Sequence, residues 1–205
     1  METIMNLEMP ITSTSTLTLK MGNLMSENDF FQFCQMNDTL EFERDSQGNI
    51  IIMSPATALT GGFNADILIE LGIWNKKHRL GKVFDSSSGF TLINGAVRSP
   101  DISWIRNDRW KKLPDSEKNK FTAICPDFII EIRSKSDDLS YLTDKMQEYL
   151  NNGAQLGWLI DSIAGKVYVY KQDVPVMVYD SLFVELSDEE ILPGFKLDLG
   201  SIIEN

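Results

Sequence analysis

Only two cysteines, Cys34 and Cys125, occur in the 205 residues, and neither has a paired spacing of the kind that binds zinc or builds a disulfide framework. Reduced, buried thiols are expected. No stretch approaches the roughly 18 consecutive apolar residues of a membrane span. The opening METIMNLEMPITSTSTLTLK has neither the basic start nor the continuous apolar core of a secretory leader, which makes the cytoplasm the expected compartment. Positive charge is also scarce. Nineteen Lys and Arg against 30 Asp and Glu leave a formal net charge of -11, the reverse of what a nucleic-acid binder needs on its contact face. The cations are nevertheless clustered: Lys76, Lys77, His78, Arg79 and Lys82 form one group, and Arg106, Arg109, Lys111, Lys112, Lys118 and Lys120 another. A local field can differ in sign from the total charge, although such runs are commonly just solvated surface.

What is present is an ordinary globular mixture, 42% apolar and 24% charged, in a length that suits one well-buried core. A single domain over residues 21–205 is expected behind a lead-in at 1–20. In the lead-in, Thr and Ser alternate with small apolar residues without a helical period, the pattern of a poorly ordered or edge-strand segment. Ser26 with Glu27, Asn28 and Asp29 predicts the capped start of a short helix carrying Phe30, Phe31, Phe33 and Cys34. LEFERD, SQGN and IIIM predict a hairpin turning at Gly48, and a long helix is expected from after Pro55 to about Arg79. KVFDS, GFTLI and DISWI read as strands, with a turn at Asn94 and Gly95. The polar segment from Arg106 to Ala123 reads as a short helix plus loop. PDFIIEIRS is the densest strand signal. A helix from about Asp138 to Asn151 follows it, then strands QLGWLID and KVYVYKQ. That order implies a crossover unit with parallel neighbouring strands.

Within PDFIIEIRS, alternation puts Asp127, Ile129, Glu131 and Arg133 on one face and Phe128, Ile130 and Ile132 on the other. A charged residue midway along a central strand is costly unless paired or metal-bound, so Glu131 is either a ligand or the partner of Arg133 in an internal ion pair. In DISWI, Asp101, Ser103 and Ile105 share a face. Asp101, after Pro100, could equally be a turn residue that starts the strand. In the following helix, Leu142, Met146, Tyr149 and Leu150 form the buried stripe, with Lys145 at its edge. Lys145 could reach back to Glu131 or snorkel to water. Asp144 and Glu148 are expected to point further outward. On the earlier helix, Phe63, Ile67, Leu71 and Trp74 define the buried stripe, and Asp66 and Glu70 could each bring a further carboxylate to the sheet.

SPDISWI, PDFIIEIRSKSD, DKMQEYLNNGAQLGWLID and LPGFKLDL, together with MSPAT at 53–57 and GFNAD at 62–66, resemble the Uma-type family, catalogued as restriction-endonuclease-like and long a domain of unknown function. Order and spacing carry the resemblance over nearly the whole chain after about residue 25. It implies an α/β restriction-endonuclease-like core: a mixed sheet flanked by helices, here with an N-terminal helix and hairpin. By the same resemblance Asp101 matches the Asp of the PD-(D/E)xK pattern, Glu131 matches its second acid, and Asp66 fits an acidic position on the first core helix. Two departures stand out. Arg133 occupies the position of the pattern's lysine, and Lys135 replaces the proline of the family's usual SPSD. Arginine holds its proton too firmly to act as a base, so Lys145, on the next helix, is the candidate to take over.

The expected function is therefore a DNA endonuclease using Mg2+ or Mn2+. Asp101 and Glu131 would hold the metal with help from Asp66, Lys145 would position water, and Arg133 would contact phosphate. Two-strand cutting would suit a homodimer. The alternative is a catalytically silent protein of the same fold that serves as a binding module, consistent with Arg133 and the acidic total charge. A glycosidase built on paired carboxylates lacks any sugar-stacking pattern. The enzymatic reading requires Asp101 and Glu131 to meet on one side of one sheet.

Overall fold

The computed structural model describes residues 17–204. Of the lead-in, residues 1–16 lie outside them, and Leu17–Leu19 forms an edge strand, β1. Helix α1 (Glu27–Met36) starts at a full capping box, in which the Ser26 side chain accepts from Asp29 N and the Asp29 carboxylate accepts from Ser26 N. The hairpin β2 (Glu41–Arg44) and β3 (Ile50–Met53) turns at Gly48, which has a φ of 81°. Helix α2 (Ala58–His78) follows, capped by the Thr57 side chain. Next come β4 (Gly81–Asp85), β5 (Phe90–Thr91), β6 (Val97–Arg98) and β7 (Ile102–Arg106). The polar segment holds two short helices rather than one, α3 (Asn107–Trp110) and α4 (Asp115–Lys118), separated at Pro114. The core is completed by β8 (Phe128–Arg133), α5 (Leu139–Asn151), β9 (Leu156–Asp161), β10 (Lys166–Lys171) and β11 (Val174–Tyr179). A small hairpin of β12 (Glu185–Ser187) and β13 (Lys196–Asp198), then α6 (Leu199–Ile203), closes the chain.

Two main sheets result. The larger has six strands in the order β11-β10-β9-β8-β7-β4, with β8 and β9 parallel and every other pair antiparallel. The parallel pair is the expected crossover through α5. The smaller sheet, β1-β3-β2-β6-β5, carries the N-terminal hairpin. Alternation along β8 decides what each face meets. Phe128, Ile130 and Ile132 pack against Ile67, Leu71 and Trp74 of α2 and against the C-terminal Leu192, Phe195 and Leu197. Ile129 faces the other way, onto Leu142, Met146 and Tyr149 of α5. Gly157 on β9 lets α5 settle close to the sheet, since a Cβ there would collide with the Met146 methyl. The two helices therefore sit on opposite faces, and of the two it is α5 that covers the face bearing Glu131.

Among the described residues no helix is long and apolar enough to cross a membrane.

Candidate active site

The ladder between β7 and β8 pairs Ile102 with Ile130 and Ser103 with Ile129. Continued by one residue, this register sets Asp101 opposite Glu131, and in a pleated sheet directly opposed residues share a face. Asp101 Oδ2 accepts a 2.7 Å bond from Ile132 N, which holds its carboxylate over the end of β8. Asp101 stands between Pro100 and the first residue of β7, so it leads into the strand and also lies on the face of Glu131. Glu131 is 4% exposed. Its Oε1 accepts from Lys145 Nζ at 2.8 Å and from Tyr149 Oη at 2.9 Å. Lys145 does not snorkel; it is 3% exposed and its ammonium also reaches Glu43 Oε1 at 3.0 Å.

Glu43 is the residue that sequence reasoning missed. It is fully buried on β2, its Oε1 also accepts from Ser99 N at 2.9 Å, and its Oε2 takes Arg98 Nη1 at 3.0 Å. Arg98 in turn places Nε 2.6 Å from Glu148 Oε2. Glu148, expected to point outward, is thus turned into the cluster, whereas Asp144 remains exposed. A signal for Glu43 was available. Its strand faces a run of three isoleucines, and Ile50 and Ile51, on alternate sides of β3, are both buried. A glutamate opposite such a strand needs a buried counter-charge.

The electrostatics follow from this crowding. Burial raises the Glu131 carboxyl, to about 7, because desolvation with Asp101 and Glu43 nearby outweighs the pull of Lys145. Burial likewise lifts Asp101, to about 6, against the opposing Ile132 N–H and Lys145. Burial alone would raise Glu43 too, but Lys145, Arg98 and Ser99 N hold it below the usual carboxylate range. Lys145 stays protonated far above neutrality, since Glu131 and Glu43 outweigh its desolvation. Four carboxylates (Asp101, Glu131, Glu43 and Glu148) thus face two cations (Lys145 and Arg98), an excess of two negative charges when all are ionised. Asp101 Oδ1 and Glu131 Oε2 have no protein partner among the described residues, whereas both oxygens of Glu43 are engaged. No group of three or more Asp, Glu, His or Cys side chains converges as a ready-made metal cage among the described residues.

Other expected positions are not brought here. Asp66 and Glu70 are exposed on α2, which packs on the opposite face of the sheet, so neither adds a carboxylate to the pair. Arg133 shares the face of Glu131 but pairs with Asp161 Oδ2 at 2.9 Å and with the Asp137 carbonyl, not with Glu131. The basic groups lie away from the site. Gly81 pairs with Arg106 and Lys82 with Ile105, at the far end of β7 from Asp101, so Lys82 and Arg106 sit about four to five residues or roughly 13–17 Å along the strand from it. Arg106, Arg109, Lys118 and Lys120 are moreover bound to Asp108, Asp127, Asp115 and Glu117.

The family model named Uma2 and described as "Putative restriction endonuclease" matches residues 28–200. The chain belongs to the Uma2 family. Its α/β fold, mixed strands flanked by helices, is similar to the crystal structure of a protein from Anabaena variabilis ATCC 29413 described as "a putative nuclease belonging to DUF820". The TM-score is 0.68 at 22% identity, over 80% of this chain and 89% of that one. No curated protein matches the sequence. The Uma2 match spans every residue of the cluster, from Glu43 to Tyr149.

Proposed function

We propose that this Uma2-family chain is a metal-dependent endonuclease that hydrolyses DNA phosphodiester bonds, with Asp101 and Glu131 as metal ligands. The supporting observation is the pair of carboxylates at the start of β7 and on β8, each with an oxygen free of protein partners among the described residues, beside a buried lysine. Magnesium needs only one or two protein carboxylates and completes its shell with water and phosphate oxygens, so a two-carboxylate site fits without a third acid. The two surplus negative charges also match a divalent cation. A cation held there would supply Lewis-acid polarisation of a phosphate oxygen and an acidified water.

The chain's own groups do the rest. Lys145, locked as an ammonium, cannot accept a proton and serves as a fixed positive charge for the pentacovalent phosphate and as an orienting donor. Tyr149 fixes the rotamer of Glu131. Arg133 Nη2 has no protein partner among the described residues, and Lys135 is exposed in the loop just beyond β8. These two cations, at the site's own end of the sheet, are the proposed backbone contacts in place of the distant basic groups. The test is plasmid cleavage with Mg2+ or Mn2+, comparing the wild type with Asp101→Ala and Glu131→Ala. Equal rates in all three would remove the assignment.

Two further results are expected. Replacing Arg133 and Lys135 by Gln should raise KM more than it lowers kcat, and each should reduce the slope of log binding constant against log salt by about one. Unchanged slopes would move the DNA elsewhere on the surface. Cation binding should also be linked to pH. With Asp101 near 6 and Glu131 near 7, protons compete with the metal below neutrality. Affinity should fall about tenfold per pH unit for each proton displaced. Calorimetry in buffers of different ionisation enthalpy would measure the release. A pH-independent affinity between 5 and 8 would contradict it.

A further inference from the structure

Arg98 touches neither of the proposed metal ligands, yet among the described residues it is the only cation besides Lys145 that Glu43 contacts. Lys145 is shared between two carboxylates on different sheets, Glu43 on the small sheet and Glu131 on the large one. Where its ammonium rests depends on how strongly each side draws it. Glu131 offers Oε1, already accepting from Tyr149. Glu43 would be the stronger competitor, fully buried and fully charged, were its Oε2 not taken by Arg98. The guanidinium is itself aimed by Glu148, which lies three residues after Lys145 on the same helix and is held on its far oxygen by Asn94 Nδ2 at 2.8 Å. Tyr141 Oη, from the first turn of that helix, accepts from Arg98 Nη1 at 3.3 Å. A chain of alternating charges thus runs from the surface inward: Glu148, Arg98, Glu43, Lys145, Glu131.

We infer that Arg98, oriented by Glu148, is a positioning residue that keeps Lys145 on Glu131 by neutralising Glu43 from behind. Only the kinetic part of this inference rests on the nuclease reading. Without Arg98, Glu43 has only Lys145 and Ser99 N to answer it, and it draws the ammonium off Glu131. A displacement of about an ångström at a reacting centre costs up to about a hundredfold in rate.

The test uses the full chain with Arg98→Met, Arg98→Lys, Glu148→Gln and the Met/Gln double variant. Arg98→Met is expected to lower kcat on the order of 10- to 100-fold with KM little changed, and Arg98→Lys, which restores the charge, to recover much of it. Glu148→Gln keeps an oxygen for Arg98 Nε and only loses charge. It guards against a failure of Arg98→Met to fold, and its expected loss is about threefold. The double variant should be no worse than Arg98→Met, because both act through one path.

A second readout does not need cleavage. The Lys145 ammonium, buried and held by two carboxylates, should give a slowly exchanging proton–nitrogen NMR signal that disappears in Lys145→Arg. That signal should shift or broaden in Arg98→Met and return in Arg98→Lys. If the wild type cuts nothing yet the signal responds in this way, the nuclease reading falls and the positioning role stands. Equal kcat and an unmoved signal in Arg98→Met and Glu148→Gln overturn the inference, as does additivity in the double variant.

Discussion

Asp101→Asn is expected to lower magnesium-dependent cleavage at least about a hundredfold and, in the same preparation, to make the folded protein more stable. The loss follows from removing one of the two charges proposed to bind metal while leaving shape intact, since the amide oxygen can still accept from Ile132 N. The gain follows from linkage. The folded carboxyl titrates near 6 rather than 3.8, so folding pulls a proton onto it. Its contribution to stability is fully present below the unfolded value and is lost as pH rises through 6. At pH 8 in EDTA the charged form therefore costs on the order of 2–3 kcal/mol, and Asn relieves most of that. Urea denaturation should show the variant ahead at pH 8 and level with the wild type near pH 4. A variant that cuts at the wild-type rate would end the metal-ligand role. One that shows no pH-dependent gain would mean that the carboxylate is better solvated than its setting implies.

Lys145→Met is expected to be the most damaging single substitution in the protein. It strands Glu43 and Glu131 without their shared counter-charge, and removing one partner of a buried ion pair costs about 3–5 kcal/mol. The total stability of a domain is only about 5–15 kcal/mol. The double variant Lys145→Met with Glu131→Gln should be more stable than Lys145→Met alone, because the unpaired charge is removed together with its partner. Denaturant midpoints measure both. If Lys145→Met unfolded at the wild-type midpoint, the ammonium would not be holding the two sheets' carboxylates together. If both variants kept full cleavage, Lys145 would have no part in the chemistry.

The sequence already held the half of the site that is local along the chain. Glu131 and Lys145 belong to one strand–helix–strand unit, and two periodicities, two along the strand and 3.6 along the helix, suffice to turn them toward each other. Asp101 was legible for the same reason, because strand alternation and pleat fix its face once β7 lies beside β8. The burial of Glu43 was signalled by its isoleucine-faced strand, but its meeting with Arg98 and Lys145 was not legible, because Glu43 and Arg98 enter from a second sheet whose packing no local period encodes. Asp66 failed in the other direction. Its likeness to a family position says which helix carries it but not which side of the sheet that helix covers. The basic groups failed similarly, since clustering in sequence says nothing about distance along a strand.

The buried Glu43 precedes Arg98 by 55 residues and comes still earlier relative to Lys145. A ribosome delivers it long before either counter-ion exists, and an unanswered carboxylate is too expensive to bury. The β2–β3 hairpin must therefore wait, unsealed, until its counter-ions on β6 and α5 have emerged. The cluster of Glu43, Arg98 and Lys145 cannot be assembled on a nascent fragment that stops short of α5.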